Sequence, residues 1–221
     1  MKSYQALALL LTYPEADWLE QLHHVEALLI QESDQNRNAA ITLAPLFELL
    51  RTSTLIELQQ NYVATFDQNP SHSLHLFEHI HGESRDRGQA MVNLLQEYRT
   101  HGLLMTADEL PDYVPLFLEY LSQRPQADAA ALLGDAVHVL ALIGGKLNKN
   151  GSPYHTIFDV LQALSPVEAQ PLQEPPVRDM DEAMETFGPA IDGREPLLGA
   201  QPQVAYAALP KPYRQTQVAG A

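Results

Sequence analysis

Apolar residues recur at three- and four-residue spacing along most of the first 164 positions, and that period predicts helices. Residues 4–11 form an apolar run stopped by Tyr13-Pro14, because the residue before proline is pushed out of helical geometry. Residues 15–32 carry Trp18, Leu22, Val25, Leu28 and Leu29 as one helical stripe, with polar residues between. Ser33 to Asn38 reads as a polar turn. Residues 39–51 resume the period with Ile41, Leu43, Leu46, Phe47 and Leu50. Ser53 or Thr54 is placed to cap a helix bearing Leu55, Leu58, Tyr62 and Phe66. Asp67-Gln68-Asn69-Pro70 then makes a loop of turn formers.

The second half keeps the period. Ser73 is placed to cap a short helix with Leu74, Phe77 and Ile80 on one face, and Gly82 suits its left-handed end. Ser84 is placed to cap the next helix, which runs on Met91, Leu94, Leu95 and Tyr98. That helix breaks two rules. Arg85 and Arg87 sit in its first turn, where the dipole disfavours cations, and Gly88 sits in its interior at about 1 kcal/mol relative to Ala. Thr106 to Glu109 has the spacing of a capping box. Asp112 is placed to cap a helix whose first turn tolerates Pro115 and whose Phe117, Tyr120 and Leu121 share a face. Pro125 opens a long apolar helix through Leu147, in which Gly144-Gly145 marks close helix packing. Pro153 to Leu164 is the last helix. No strand pattern and no internal repeat appears. The expected fold is all-α: one irregular helical bundle over residues 1–164.

From Ser165 the texture changes. Nine of the 16 prolines and four glycines fall in residues 165–221, with few large apolar side chains. Such a segment buries too little surface to offset its ordering entropy, so the expectation is a mostly disordered tail with one helical turn around Asp179 to Phe187. Eight of the 28 acids and four of the 13 bases lie in it. Residues 1–164 keep 20 and nine, a net charge of −11 within the chain's −15. That acidity argues against nucleic acid as a partner and favours a cationic one. There is no cysteine, hence no disulfide framework and no thiolate metal site. Met1-Lys2 and the run Ala6–Leu11 imitate a signal peptide, but Thr12-Tyr13-Pro14-Glu15 follows in place of a small-residue cleavage site. No apolar run approaches the ~20 residues of a membrane span, so a cytoplasmic chain without membrane insertion is expected.

Two patterns suggest chemistry. His75, Glu78 and His79 match H-x-x-E-H, which on a helix sets two imidazoles and a general base on one face; zinc-dependent hydrolysis is the reading this supports. The pattern fixes only three residues. The cluster Arg85-Asp86-Arg87 either forms internal ion pairs, with Glu83 or Glu119 as candidates, or belongs to a binding surface. No glycine-rich phosphate loop is present.

The run Phe77-Glu78-His79-Ile80-His81-Gly82-Glu83-Ser84-Arg85-Asp86-Arg87-Gly88-Gln89-Ala90-Met91 resembles the signature of the molybdenum-cofactor assembly chaperones of respiratory nitrate reductase, the delta-subunit family. Asp108-Glu109-Leu110-Pro111-Asp112-Tyr113-Val114-Pro115-Leu116-Phe117-Leu118-Glu119-Tyr120-Leu121 resembles the same family, and Leu10 to Pro14 and Phe66-Asp67 fit it. The resemblance covers residues 4–164 and not the far C-terminus. It departs at His75, where that family usually carries an aliphatic residue. The resemblance implies a helical chaperone, not an enzyme. It would bind the N-terminal segment of the catalytic alpha subunit and keep the alpha–beta complex ready for the molybdenum bis-guanine-dinucleotide cofactor, and it would not itself hold a cofactor or join the finished enzyme. A related chaperone serving another molybdoenzyme is the nearest alternative. Two blocks are implied to carry client binding. The first is Phe77, Glu78, His79, His81, Glu83, Arg85, Asp86 and Arg87. The second is Glu109, Pro111, Asp112, Tyr113, Glu119 and Tyr120. In that picture the acids attract client cations, the aromatic residues supply apolar contact, and the arginines hold the acids.

Overall fold

A computed structural model describes residues 2–31, 34–81, 85–105 and 109–172. Among them are eleven α-helices and no β-strand. In chain order these are α1 (Lys2–Leu10), α2 (Ala16–Leu19), α3 (Leu22–Gln31), α4 (Asp34–Thr42), α5 (Ala44–Thr52), α6 (Leu55–Tyr62), α7 (Leu76–His81), α8 (Arg85–Thr100), α9 (Val114–Ser122), α10 (Gln126–Lys149) and α11 (His155–Leu164). A π-helical turn, Val63–Asp67, extends α6, and a 3₁₀ turn, Pro70–His72, leads into α7. The all-α bundle expected from the periodicity is the observed architecture.

The centre is made by α1 against α9 and by α10 against α11. Leu7, Leu11, Leu118, Leu121, Leu140, Ile143, Ile157 and Phe158 have no exposed surface at all. Gly144 sets the approach of α10 to α11. A Cβ there would lie 2.6 Å from Cβ of Phe158, whereas one at Gly145 would meet nothing within 4 Å. Only the first of that glycine pair marks packing. Left-handed glycines follow two helices, Gly102 (φ 79°) after α8 and Gly151 (φ 72°) after α10. α10 is long and apolar enough, by length and composition, to cross a membrane. Here its Leu133, Val137, Leu140, Ile143 and Leu147 are buried in the bundle.

Several boundaries differ from the periodicity. The stripe over residues 15–32 is two helices, because the chain tightens at Glu20-Gln21; Trp18 Nε1 donates to the Tyr13 carbonyl at 3.2 Å and pins the first turn. The polar turn expected over Ser33–Asn38 is helical from Asp34, since Ala39 and Leu43 are buried and α4 packs on α3. The single helix expected over residues 39–51 breaks at Leu43, because Pro45 can occupy only the first turn of a new helix. Thr54, rather than Ser53, caps α6, in a capping box with Glu57. Gly82, Ser84 and the Thr106–Asp108 part of the other expected capping box lie outside the described residues.

The chain does not leave the bundle at Ser165. Val167 and Pro166 lie over Gly134 of α10, the Gln170 N–H donates to Nδ1 of His138 at 2.9 Å, and Leu172 packs on the core. Residues 173–221, which hold the rest of the expected tail, lie outside the described residues.

Candidate functional site

The two sequence blocks meet in a backbone joint. Leu74 and Val114 exchange one bond (Val114 N–H to the Leu74 carbonyl, 2.8 Å), and Leu76 N–H reaches the Asp112 carbonyl at 3.1 Å. His75 and Tyr113 face one another as an antiparallel bridge. Across this joint Asp112 reaches α7: its carboxylate accepts the Phe77 N–H at 2.9 Å, satisfying a first-turn donor of α7. So Asp112 does not cap its own helix. Tyr113 stands at the cap of α9 and makes no side-chain cap bond. Ser73 does not cap α7 either; its Oγ accepts the His75 N–H at 3.2 Å and closes the turn before the helix.

Asp112 is fully buried, with Nδ1 of His75 at 3.5 Å from Oδ1. Burial alone would raise its carboxyl, but His75, the Phe77 N–H and the Arg87 cation together hold it below the usual carboxylate range. Burial likewise opposes the His75 cation, yet contact with Asp112, backed by Glu78 and Glu109, raises this imidazole above its ordinary value. Arg87 of α8 pairs with Glu78 of α7 at 3.0 Å, so the arginine is held from the first block itself and not by Glu119. The second block is also tied to α8. Tyr98 OH donates to the Pro111 carbonyl at 2.8 Å, and Tyr120 OH to the Glu97 carboxylate at 2.8 Å. The Tyr98 and Tyr120 rings lie 4.7 Å apart. Tyr113 OH sits 3.3 Å from Tyr62 OH, and burial pushes its phenol up to about 12.

The expected site residues therefore divide. His79, Pro111, Asp112 and Tyr120 are buried and build the joint. Nε2 of His79 donates to the Ser73 carbonyl at 2.8 Å. Phe77, Glu78, His81, Arg87, Glu109, Tyr113 and Glu119 are half-buried and Asp86 is exposed; Phe77 packs on the core and meets His81 edge-on at 5.8 Å. Arg85 opens α8, and Glu83 lies outside the described residues. The zinc reading loses its geometry, because His75, Glu78 and His79 turn to Asp112, Arg87 and Ser73 respectively. Among the described residues no group of three His, Cys, Asp or Glu could hold a metal ion.

Sequence reasoning missed Tyr98 and Glu97 as parts of the site. Their only signal was that Tyr98 falls on the apolar stripe of α8, which a core tyrosine and a positioning tyrosine share. With Leu103, Leu104, Met105, Leu116 and Glu119, the Tyr98 and Tyr120 rings line a small, shallow apolar niche.

Fold and joint define a class: an all-helical bundle organised on two interlocked motif segments. The family model described as "Nitrate reductase delta subunit" matches residues 31–159, and the chain belongs to that family. It is 43% identical over 157 residues to the nitrate reductase molybdenum cofactor assembly chaperone NarJ of Escherichia coli K12, covering 71% of this chain and 66% of that one. It is 39% identical over 165 residues to the probable chaperone of the same description, NarW, of E. coli K12 (75% and 68%). It is 32% identical over 161 residues to the probable chaperone NarJ of Bacillus subtilis 168 (73% and 86%). The match thus spans about two thirds of the length of the E. coli relatives.

Proposed function

We propose that this chain is an assembly chaperone of membrane-bound nitrate reductase. It binds the N-terminal segment of the catalytic alpha subunit in the cytoplasm. It holds the alpha–beta complex ready for the molybdenum bis-guanine-dinucleotide cofactor, releases it, and stays out of the finished enzyme. The cofactor is cargo for the client and is not held by this chain. Binding and release are the whole mechanism; no covalent step is involved.

The observation that carries this reading is the joint. Leu74 and Leu76, just ahead of the first block, and Phe77 within it are bonded to Asp112 and Val114, so α7 and α9 present one fixed surface. Large apolar residues stay exposed on the segments around it, namely Ile80, Leu104 and Leu110. Half-buried Glu109 and Glu119 lie in the second block. An apolar surface with acidic neighbours suits a basic amphipathic helix. The family and the relatives' descriptions support nitrate reductase as the enzyme served.

The test is calorimetric titration of the full chain with a synthetic peptide of the alpha-subunit N-terminus and with its scrambled form. Saturable binding of the native order alone is expected. Indifference to peptide order, or no binding of either peptide, would sink the proposed client mode.

A further inference from the structure

Two short stretches singled out in the sequence, Leu10 to Pro14 and Phe66-Asp67, take no part in the joint. The structure brings both to Tyr62 of α6. Tyr62 OH donates to the Leu11 carbonyl at 2.9 Å and lies 3.3 Å from Tyr113 OH of the second block. The Phe66 ring lies 4.9 Å from that of Tyr62, and the Tyr13 ring stands edge-on to it at 5.6 Å. The loop that bears Tyr13 is fixed at two further points. Trp18 Nε1 holds the Tyr13 carbonyl, and Gln59 Nε2 donates to the Pro14 carbonyl at 2.9 Å. Yet Tyr13 is left 38% exposed. An aromatic side chain held firm in the open has little freedom to lose on binding.

The charge around this platform has one sign. Asp67 and Glu109 both bear on the Tyr113 phenol, and no cation acts on Tyr113 or Tyr62. Partial burial lifts the Asp67 carboxyl above its ordinary value, with no cation to offset it. The cations of the neighbourhood are engaged or apart. His75, its ring 5.5 Å from that of Tyr113, is one imidazole shared among Asp112, Glu78 and Glu109. Arg87 pairs with Glu78. Lys149, beside the Asn150 that bonds His72, forms no ion pair with Asp67.

We propose that the exposed surface of Tyr13 and Tyr113, with the carboxylates of Asp67 and Glu109 beside it, receives one lysine or arginine side chain of the client's N-terminal segment. The inference rests on the client reading above and adds to it a contact carried by the α1–α2 loop and α6, separate from the niche between α8 and α9. A cation is drawn to the face of a tyrosine ring. Carboxylates beside the ring add an attraction that reaches about 10 Å at 0.1 M salt. A second copy of this chain suits the surface poorly, since each copy carries net −15.

The test is calorimetric titration of the full chain and its variants with the alpha-subunit N-terminal peptide, and with peptides in which each cation in turn is replaced by norleucine. Tyr13→Leu, which removes the ring and keeps apolar bulk, should raise Kd about 2–5-fold, the range of an exposed cation–ring contact. Tyr13→Phe, which keeps the ring, should lose less. Asp67→Asn should also raise Kd about 2–5-fold. Asp67 is exposed, so this variant keeps the test open should Tyr13→Leu fail to fold, which circular dichroism reads. With one of the norleucine peptides both losses should vanish, because the partner of the ring and of the carboxylate is then gone. Unchanged Kd in Tyr13→Leu and Asp67→Asn overturns the inference. So do losses that persist undiminished with every norleucine peptide, since the ring then acts without a cation. Either result leaves the client reading standing. Failure of the native peptide to bind the unaltered chain overturns both.

Discussion

At the scale of single residues, Asp112 holds the two blocks together. It is fully buried, it satisfies the Phe77 N–H of α7, and it faces the His75 ring. Asp112→Ala should lower stability by about 1–3 kcal/mol in urea unfolding, since it strands a buried N–H and an imidazole. An unchanged midpoint would mean that the joint holds without it. The pair also sets a pH window. Asp112 titrates lower folded than unfolded, so its contribution is present above the unfolded value of about 3.9 and is lost as pH falls below it. His75 titrates higher folded than unfolded, so its contribution is complete below about 6.5 and is lost as pH rises through the folded value. The stability difference between the native chain and His75→Gln should therefore peak between about pH 4 and 6.5 and shrink on both sides; a difference flat from pH 4 to 8 would refute the coupling. Much of this was legible in advance. The residue types of both blocks, and the capping chemistry of aspartate, are visible in sequence. The target of the cap is not, because a carboxylate before an apolar run looks the same whether it caps its own helix or one 35 positions away. Tyr98 shows in the sequence only as part of the apolar stripe of α8 for the same reason: burial and positioning leave one periodicity.

At the scale of elements, helix existence followed from the apolar period, and helix boundaries followed from proline and packing. Pro45 broke a stripe that periodicity alone joins, and burial of Ala39 and Leu43 drew a polar stretch into α4. The contact of α10 with α11 gives a sharp test in two neighbouring positions. Gly144→Ala should destabilise by about 1–3 kcal/mol, since the new methyl would collide with Cβ and Cγ of Phe158. Gly145→Ala, with open space around it, should raise stability by up to about 1 kcal/mol. Thermal melts of the two variants should move in opposite directions; a common direction would show that the close approach at Gly144 is not what holds the pair. Composition placed the end of the folded part at Leu164, yet Val167, Gln170 and Leu172 engage α10 and the core. A chain ending at Leu164 should be about 1–2 kcal/mol less stable in urea than one ending at Leu172, the worth of one backbone hydrogen bond and some partly buried apolar surface. Equal midpoints would show that these eight residues add nothing.

At the scale of the whole molecule, charge and apolar surface act over different ranges, and a client that uses both should reveal each. The chain carries net −15, and residues 1–164 alone carry −11. Exposed charges are screened beyond about 10 Å at 0.1 M salt and about 3 Å at 1 M. A basic client segment docked beside Ile80, Leu104 and Leu110 should bind more weakly as salt rises and still bind at 1 M, because apolar burial does not depend on screening. Charge reversal separates a local site from the general field. Glu119→Lys changes a half-buried carboxylate on the niche between α8 and α9. Glu48→Lys makes the same change of net charge on the exposed side of α5. Glu26 is unsuitable as the control because it pairs with Arg51. Calorimetric titration of the alpha-subunit peptide should show Glu119→Lys weakening affinity about 3–10-fold more than Glu48→Lys, the range of one well-placed charge pair. Circular dichroism should show both variants folded. Equal losses would mean that the acidity draws the client in from a distance and that the second block does not touch it, leaving the family assignment intact and the contact surface to be sought elsewhere.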